Sequence, residues 1–129
     1  MIVIDCAALV DALTAIEGSE ELRAVIADVE LHAPTLVDFE IVSAMRRMTR
    51  LNRLSAARAE DLLIDFDDLP LHRWNADNAL RIRAFSLRDN LSAYDAAYVA
   101  LAEALDCRLV TRDQRLARTV GHSAEIVIF

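Results

Sequence analysis

The stretch Ser92-Ala-Tyr-Asp95-Ala-Ala-Tyr98-Val-Ala-Leu-Ala102-Glu-Ala-Leu105-Asp-Cys107-Arg108-Leu-Val-Thr111-Arg-Asp113 switches period once. From Ser92 to Leu105 the alanines and leucines make a strong helix, opened by a serine three residues before an acid, the pattern of a capping box. Arg108 to Thr111 is a short β-rich run, and Asp113 follows it before a further short helix at Gln114–Arg118. A helix feeding a short strand that ends in an acid is one unit of an alternating α/β chain. Working outward, the same unit recurs. Ile2-Val-Ile4 is a strand that ends at Asp5 and passes directly into a helix, Cys6 to Leu13.

The remaining segments fit the alternation. Gly18-Ser19 breaks the chain, and Ser19-Glu20-Glu21-Leu22 starts a helix with Ser19 as cap. Leu31 to Pro34 reads as a strand and Thr35 to Leu51 as a long amphipathic helix, with Val37, Ile41, Ala44, Met45, Met48 and Leu51 on one face. A helix from Ser55 to Phe66, a weak strand at Pro70–Trp74, a helix from Asp77 to Leu87 and a last strand at Glu125–Phe129 complete the chain. Short strands alternating with helices predict a mostly parallel central sheet layered between helices, in a single domain spanning residues 1–129. In such sheets the site lies beyond the carboxyl ends of the strands, where strand order reverses.

Composition narrows the chemistry. The chain has 129 residues, 55% hydrophobic, with only 2 Gly and 2 Pro, so it has ample material for one core. All 14 basic residues are Arg, against 21 acids, for a net charge of −7. Such a balance argues against a protein that coats polyanions, and the absence of Lys excludes every mechanism built on a catalytic lysine. No apolar run approaches the roughly 20 residues of a membrane span. The acidic N-terminal segment is unlike a signal peptide, and Cys6 and Cys107 share no metal-ligand spacing. Reduced thiols and a cytoplasmic location are therefore expected.

Four acids stand out by position. Asp5 closes the first strand and Asp113 follows the Arg108–Thr111 strand, so neighbouring strands would bring both to one sheet edge. Asp95 lies in the first turn of its helix. Glu40 sits about 60° from the centre of the apolar face of the Thr35–Leu51 helix, a carboxylate on a core rim that needs a partner. Each of the three aspartates also has an ordinary reading as a helix-capping residue. Together, four converging carboxylates would repel one another unless a cation neutralised them. An all-oxygen donor set suits Mg²⁺ or Mn²⁺, which activates water and stabilises charge at a phosphodiester.

These residues carry a resemblance. Ile2-Val-Ile-Asp5, Glu40, the segment Leu91 to Ala102 with its Tyr-Asp-Ala-x-Tyr order, and Leu109-Val-Thr111-Arg-Asp113-Gln-Arg-Leu116 together resemble the PIN-domain ribonucleases, specifically VapC-type toxins of bacterial toxin–antitoxin pairs. The resemblance implies a PIN-like three-layer α/β/α sandwich. It implies a Mg²⁺- or Mn²⁺-dependent endoribonuclease with Asp5, Glu40, Asp95 and Asp113 as the catalytic, metal-binding quartet. Thr111 and Ser92 would support it, an antitoxin would hold it in check, and the chain would form a homodimer. Where family members often carry Ser, Thr or Asn just after the first acid, this chain has Cys6 and Ala7.

Other α/β families with acidic pockets, the receiver domains and the haloacid-dehalogenase-like phosphatases, need a Lys that is absent. No glycine-rich phosphate loop exists, and His32, His72 and His122 fit surface or structural roles better than a Ser/His/Asp triad. Arg47, two turns on from Glu40, and Arg112 and Arg115, which bracket Asp113, are candidates for RNA phosphates or else solvated arginines and salt-bridge partners for the many acids. Phe39, Phe66, Trp74, Phe85 and Tyr98 are expected in the core. The alternative function is a non-catalytic PIN-like module that binds protein or RNA.

Overall fold

A computed structural model describes residues 1–129. Three apolar residues, Ile2–Ile4, form β1 at the centre of the sheet, and all three are buried. Their β-branched side chains fit a strand covered on both faces, the condition of a parallel sheet. β2 (Leu31–Pro34), β3 (Leu71–Trp74), β4 (Arg108–Thr111) and β5 (Ile126–Ile128) complete one sheet in the order β3-β2-β1-β4-β5. Every pairing is parallel, with Ile4 opposite Val110 and Pro34 opposite Trp74.

Seven helices connect the strands: α1 (Cys6–Leu13), α2 (Glu20–Asp28), α3 (Val37–Arg50), α4 (Ala56–Asp67), α5 (Asn78–Ser86), α6 (Ala93–Ala104) and α7 (Gln114–Ala117). The chain moves outward from β1 through β2 to β3, then returns to place β4 on the other side of β1. Because parallel crossovers keep one hand, reversing direction moves the connecting helices to the opposite face. The sandwich therefore has α1–α4 on one side and α5 and α6 on the other. The switch point falls between β1 and β4, whose ends carry Asp5 and Asp113.

The weak strand expected at Pro70–Trp74 is a full edge strand, paired with β2 along all four residues. His32 explains part of its definition. Its buried ring stacks on His72 at 4.8 Å, accepts a hydrogen bond from Trp74 Nε1 at 2.9 Å and lies 2.6 Å from Glu30 Oε1. This is a structural histidine, as its sequence context indicated. Cys6 and Cys107 are both free thiols.

The core is one cluster of 28 buried residues joining all layers, including Leu9, Ile41, Leu62, Leu101 and Leu109. Burying each such aliphatic side chain contributes roughly 1.5–3 kcal/mol. The aromatic residues divide against expectation. Phe66 and Tyr98 are in the core, but Phe39 is 80% exposed, Phe85 67% and Trp74 41%. Phe39 and Phe85 sit on outward faces of their helices, and helical spacing alone does not tell an inward face from an outward one. With Tyr94 and Ile82 also exposed, the surface carries several large apolar side chains. Between β2, β3, α5 and α6 lies an apolar groove of about 370 Å³, with Trp74, Phe85, Tyr94 and Leu80 in its wall and Arg81 and Arg88 among its lining.

Candidate active site

Asp5 leaves β1 with an extended backbone and caps α1, its Oδ1 accepting the Ala8 N–H at 2.8 Å. Its Oδ2 accepts the hydroxyl of Thr111, the fully buried last residue of β4. The Thr111 oxygen in turn accepts the Asp113 N–H at 3.0 Å. One threonine thus laces the carboxyl ends of β1 and β4 together. Burial pushes the Asp5 carboxyl above its ordinary range; the Thr111 and Ala8 bonds oppose this, and the charges of Asp95 and Asp113 add to it.

Glu40 lies half-buried on the first turns of α3, and the partner it needs is Tyr98 of α6, whose hydroxyl donates to Oε1 at 2.6 Å. Burial again raises the carboxyl, opposed by Tyr98 and reinforced by Asp5 and Asp95. Burial and Glu40 push the Tyr98 hydroxyl far up, so it stays a proton donor. Asp95 is placed by the cap of α6, where Ser92 Oγ accepts its backbone N–H at 3.2 Å. Asp113 caps α7 through the Arg115 N–H at 2.9 Å. The capping reading and the site reading are therefore compatible at Asp5 and Asp113: a cap fixes the carboxylate that a site would use.

The acids form one electrostatic cluster, since Asp5 senses Asp95 and Asp113, and Glu40 senses Asp5 and Asp95. They are not a closed cage: no three His, Cys, Asp or Glu side chains stand at chelating distance. The donor chemistry nevertheless fits a hard divalent ion. All four are oxygen donors, two are enclosed at a cost in ionisation, and Mg²⁺ keeps several waters and does not require an all-protein cage. The only thiol nearby, Cys6, is pushed up to about 12 by burial and by Glu40 and Asp5, so it is a neutral, inert group.

The arginines divide between the two roles open to them. Arg115 folds back on the acids, with Nη2 at 2.9 Å from Asp113 Oδ2 and 3.8 Å from Asp95 Oδ2. Its hydrogen bond holds the Asp113 carboxyl below the usual range. Arg112 is held by Asp11 at 2.9 Å and by the Gly18 carbonyl at 3.2 Å. Neither guanidinium points free toward a phosphate, because in an acid-rich chain the nearest carboxylate claims it. Arg47 makes no ion pair and lines a cleft of about 340 Å³ together with Cys6, Asp11, Glu40 and Ser43.

Sequence reasoning missed Tyr98 as a site residue, reading it as core. The available signal was its place one turn after Asp95, with a hydroxyl at the tip of a buried ring that needs a partner.

The family model for the PIN domain matches residues 2–121. The chain is 45% identical over 119 residues to the VapC ribonuclease Mb0985 of Mycobacterium bovis, covering 92% of this chain and 91% of the relative. It is 34% identical over 126 residues to ribonuclease VapC12 of Mycobacterium tuberculosis, covering 98% and 97%. Among solved structures, the fold is similar to DNA-bound VapBC from Salmonella typhimurium, with a TM-score of 0.72, 13% identity and coverage of 98% and 96%. It is likewise similar to VapBC2 from Rickettsia felis bound to a promoter DNA fragment, with a TM-score of 0.70, 15% identity and 98% of each chain covered.

Proposed function

The chain belongs to the PIN-domain family, and from that premise we propose that it is an endoribonuclease, the toxin of a VapBC-type toxin–antitoxin pair, acting through a divalent ion held by Asp5, Glu40, Asp95 and Asp113. One observation carries this reading. Asp5, buried at the topological switch point, and Glu40, half-buried near it, have their carboxyls raised by burial and by neighbouring acids, an arrangement that a bound cation relieves. Mg²⁺ or Mn²⁺ is the ion this donor set favours. When bound it would supply an activated water and stabilise the charge on the scissile phosphate.

The protein's own share is positional. Thr111 holds Asp5 against β4, Ser92 fixes the turn that presents Asp95, and Arg47 is free to take a phosphate flanking the scissile one. Arg115, already between Asp95 and Asp113, marks where positive charge is drawn in, and it would turn outward toward RNA when an ion takes its place. The same acidic mouth would attract a basic side chain of an antitoxin. Two copies would pair through the exposed apolar face of α5 and the adjoining groove. Residues 1–129 would act as one domain in the cytoplasm; no helix is long and apolar enough to cross a membrane.

A second reading, a PIN-like module that binds RNA or protein without cutting, draws on the bridging of Asp95 and Asp113 by Arg115 and on the open spacing of the acids. Cleavage of structured RNA separates the two. The nuclease cuts with Mg²⁺ or Mn²⁺, stops with EDTA, and loses about a hundredfold or more in rate on Asp95→Asn. Cleavage indifferent to EDTA or to Asp95→Asn would sink the metal-nuclease reading. A chain with no cleavage under any cation would favour the module.

A further inference from the structure

Glu40 and Asp5 each have carboxylate oxygens already bonded by neutral donors. On Glu40 the Tyr98 hydroxyl occupies Oε1 at 2.6 Å, reaching from a ring that is 2% exposed. On Asp5 the Thr111 hydroxyl bonds Oδ2 and the Ala8 N–H bonds Oδ1. A neutral donor differs from an arginine in one respect that matters here: it fixes an oxygen without cancelling the charge that attracts a cation. A hydrogen bond takes one of a carboxylate oxygen's two lone pairs; on Glu40 it leaves Oε2 the freer oxygen, which favours contact through one atom over contact through two. That choice discriminates among ions. Ca²⁺ takes six to eight oxygens and readily accepts a carboxylate through both, whereas Mg²⁺ demands a near-octahedral sphere at shorter distance.

We propose that Tyr98 is a positioning residue that restricts Glu40 to one-oxygen contact and so tunes the centre toward small six-coordinate divalent ions and away from Ca²⁺. This rests on the reading of Glu40 as a metal ligand. Tyr98 is well placed for the task. It lies one turn after Asp95, so a single helix carries both a candidate ligand and the group that orients another ligand on α3, and its buried ring cannot swing aside.

The test is calorimetric titration of the whole chain at neutral pH, first with Mn²⁺ and then with Ca²⁺. Tyr98→Phe keeps the buried ring and removes only the hydroxyl. Its Mn²⁺ affinity should fall about tenfold, the size typical of lost outer-sphere partners, while its Ca²⁺ affinity holds or rises. Placed in a Glu40→Gln background, Tyr98→Phe should change neither affinity further, because the two act through one carboxylate. Glu40→Asp, which withdraws the carboxylate from the hydroxyl but keeps the charge, should reproduce the loss of Mn²⁺ preference even if Tyr98→Phe folds poorly. An unchanged ratio of Ca²⁺ to Mn²⁺ affinity in Tyr98→Phe, or an equal loss in the Glu40→Gln background, overturns the proposal and leaves the metal centre standing. A parent chain that binds no Mn²⁺ overturns the metal centre and the proposal with it.

Discussion

At the scale of single residues, Asp5 carries the cost that the proposed site places on the fold. The folded chain keeps the Asp5 proton more tightly than the unfolded chain, because burial opposes its charge. Stability without metal therefore falls as pH rises from the ordinary carboxylate value of 3.8 through the raised folded one. Asp5→Asn removes that ionisation and can still cap α1 through its side-chain oxygen. In EDTA the variant should melt above the parent at neutral pH, with the gap closing as pH drops below the ordinary value. Saturating Mn²⁺ should reverse the order, since an ion at a hundred times its dissociation constant for the parent stabilises it by about 2.7 kcal/mol and the weaker-binding variant by less. Equal melting temperatures in EDTA across that pH range would show that Asp5 carries no such strain. The acids of this site were legible from sequence because they close strands and open helices, positions that topology brings together. Tyr98 was not, because its spacing in an apolar helix is the spacing of a core residue. Its hydroxyl matters only through Glu40, 58 positions away.

At the scale of elements, the alternation of strands and helices was readable throughout, because β-branched runs and 3.6-residue periodicity are local signals. The role of each helix face was not. α6 is apolar nearly all round and is buried accordingly, while α5 contains no buried residue at all and turns Ile82 and Phe85 to the outside. A helix held to its protein along one side, with large apolar side chains on the other, is the usual mark of a partner surface. Arg88 already stacks on Phe85 at 4.5 Å, covering part of one ring face. If the α5 face and its groove join two copies, Phe85→Asp should turn a dimer into a monomer in light scattering without lowering the monomer's helical content. A dimer that survives Phe85→Asp would place the interface elsewhere, and a monomeric parent would remove the dimer.

At the scale of the whole molecule, the net charge of −7 sets how RNA can be held. Affinity for a polyanion grows with the number of phosphates met by free cationic groups, and each contact adds about −0.7 to the salt dependence for a single strand. Near the site the supply is small. Of the three arginines considered for phosphate, Arg112 is engaged by Asp11 and Arg115 by Asp113 and Asp95, while Arg47 makes no ion pair. With metal removed, Arg115 offsets only Asp95 and Asp113, while Asp5 and Glu40 have no cationic partner, so the mouth repels the substrate. On the proposed function, the attraction would come chiefly from the bound ion, which would cancel the acids and free Arg115 at once. Binding of a single-stranded RNA to the slow-cutting Asp95→Asn variant should therefore be weak in EDTA, with a log–log salt slope shallower than about −2. Mn²⁺, held by the three remaining acids, should tighten it well beyond the change seen with an equal ionic strength of monovalent salt. Arg47→Ala should remove most of the slope that remains in EDTA. Tight binding in EDTA with a steep slope would mean that a basic surface elsewhere on the molecule holds the RNA, and that the acidic mouth cuts what other arginines deliver.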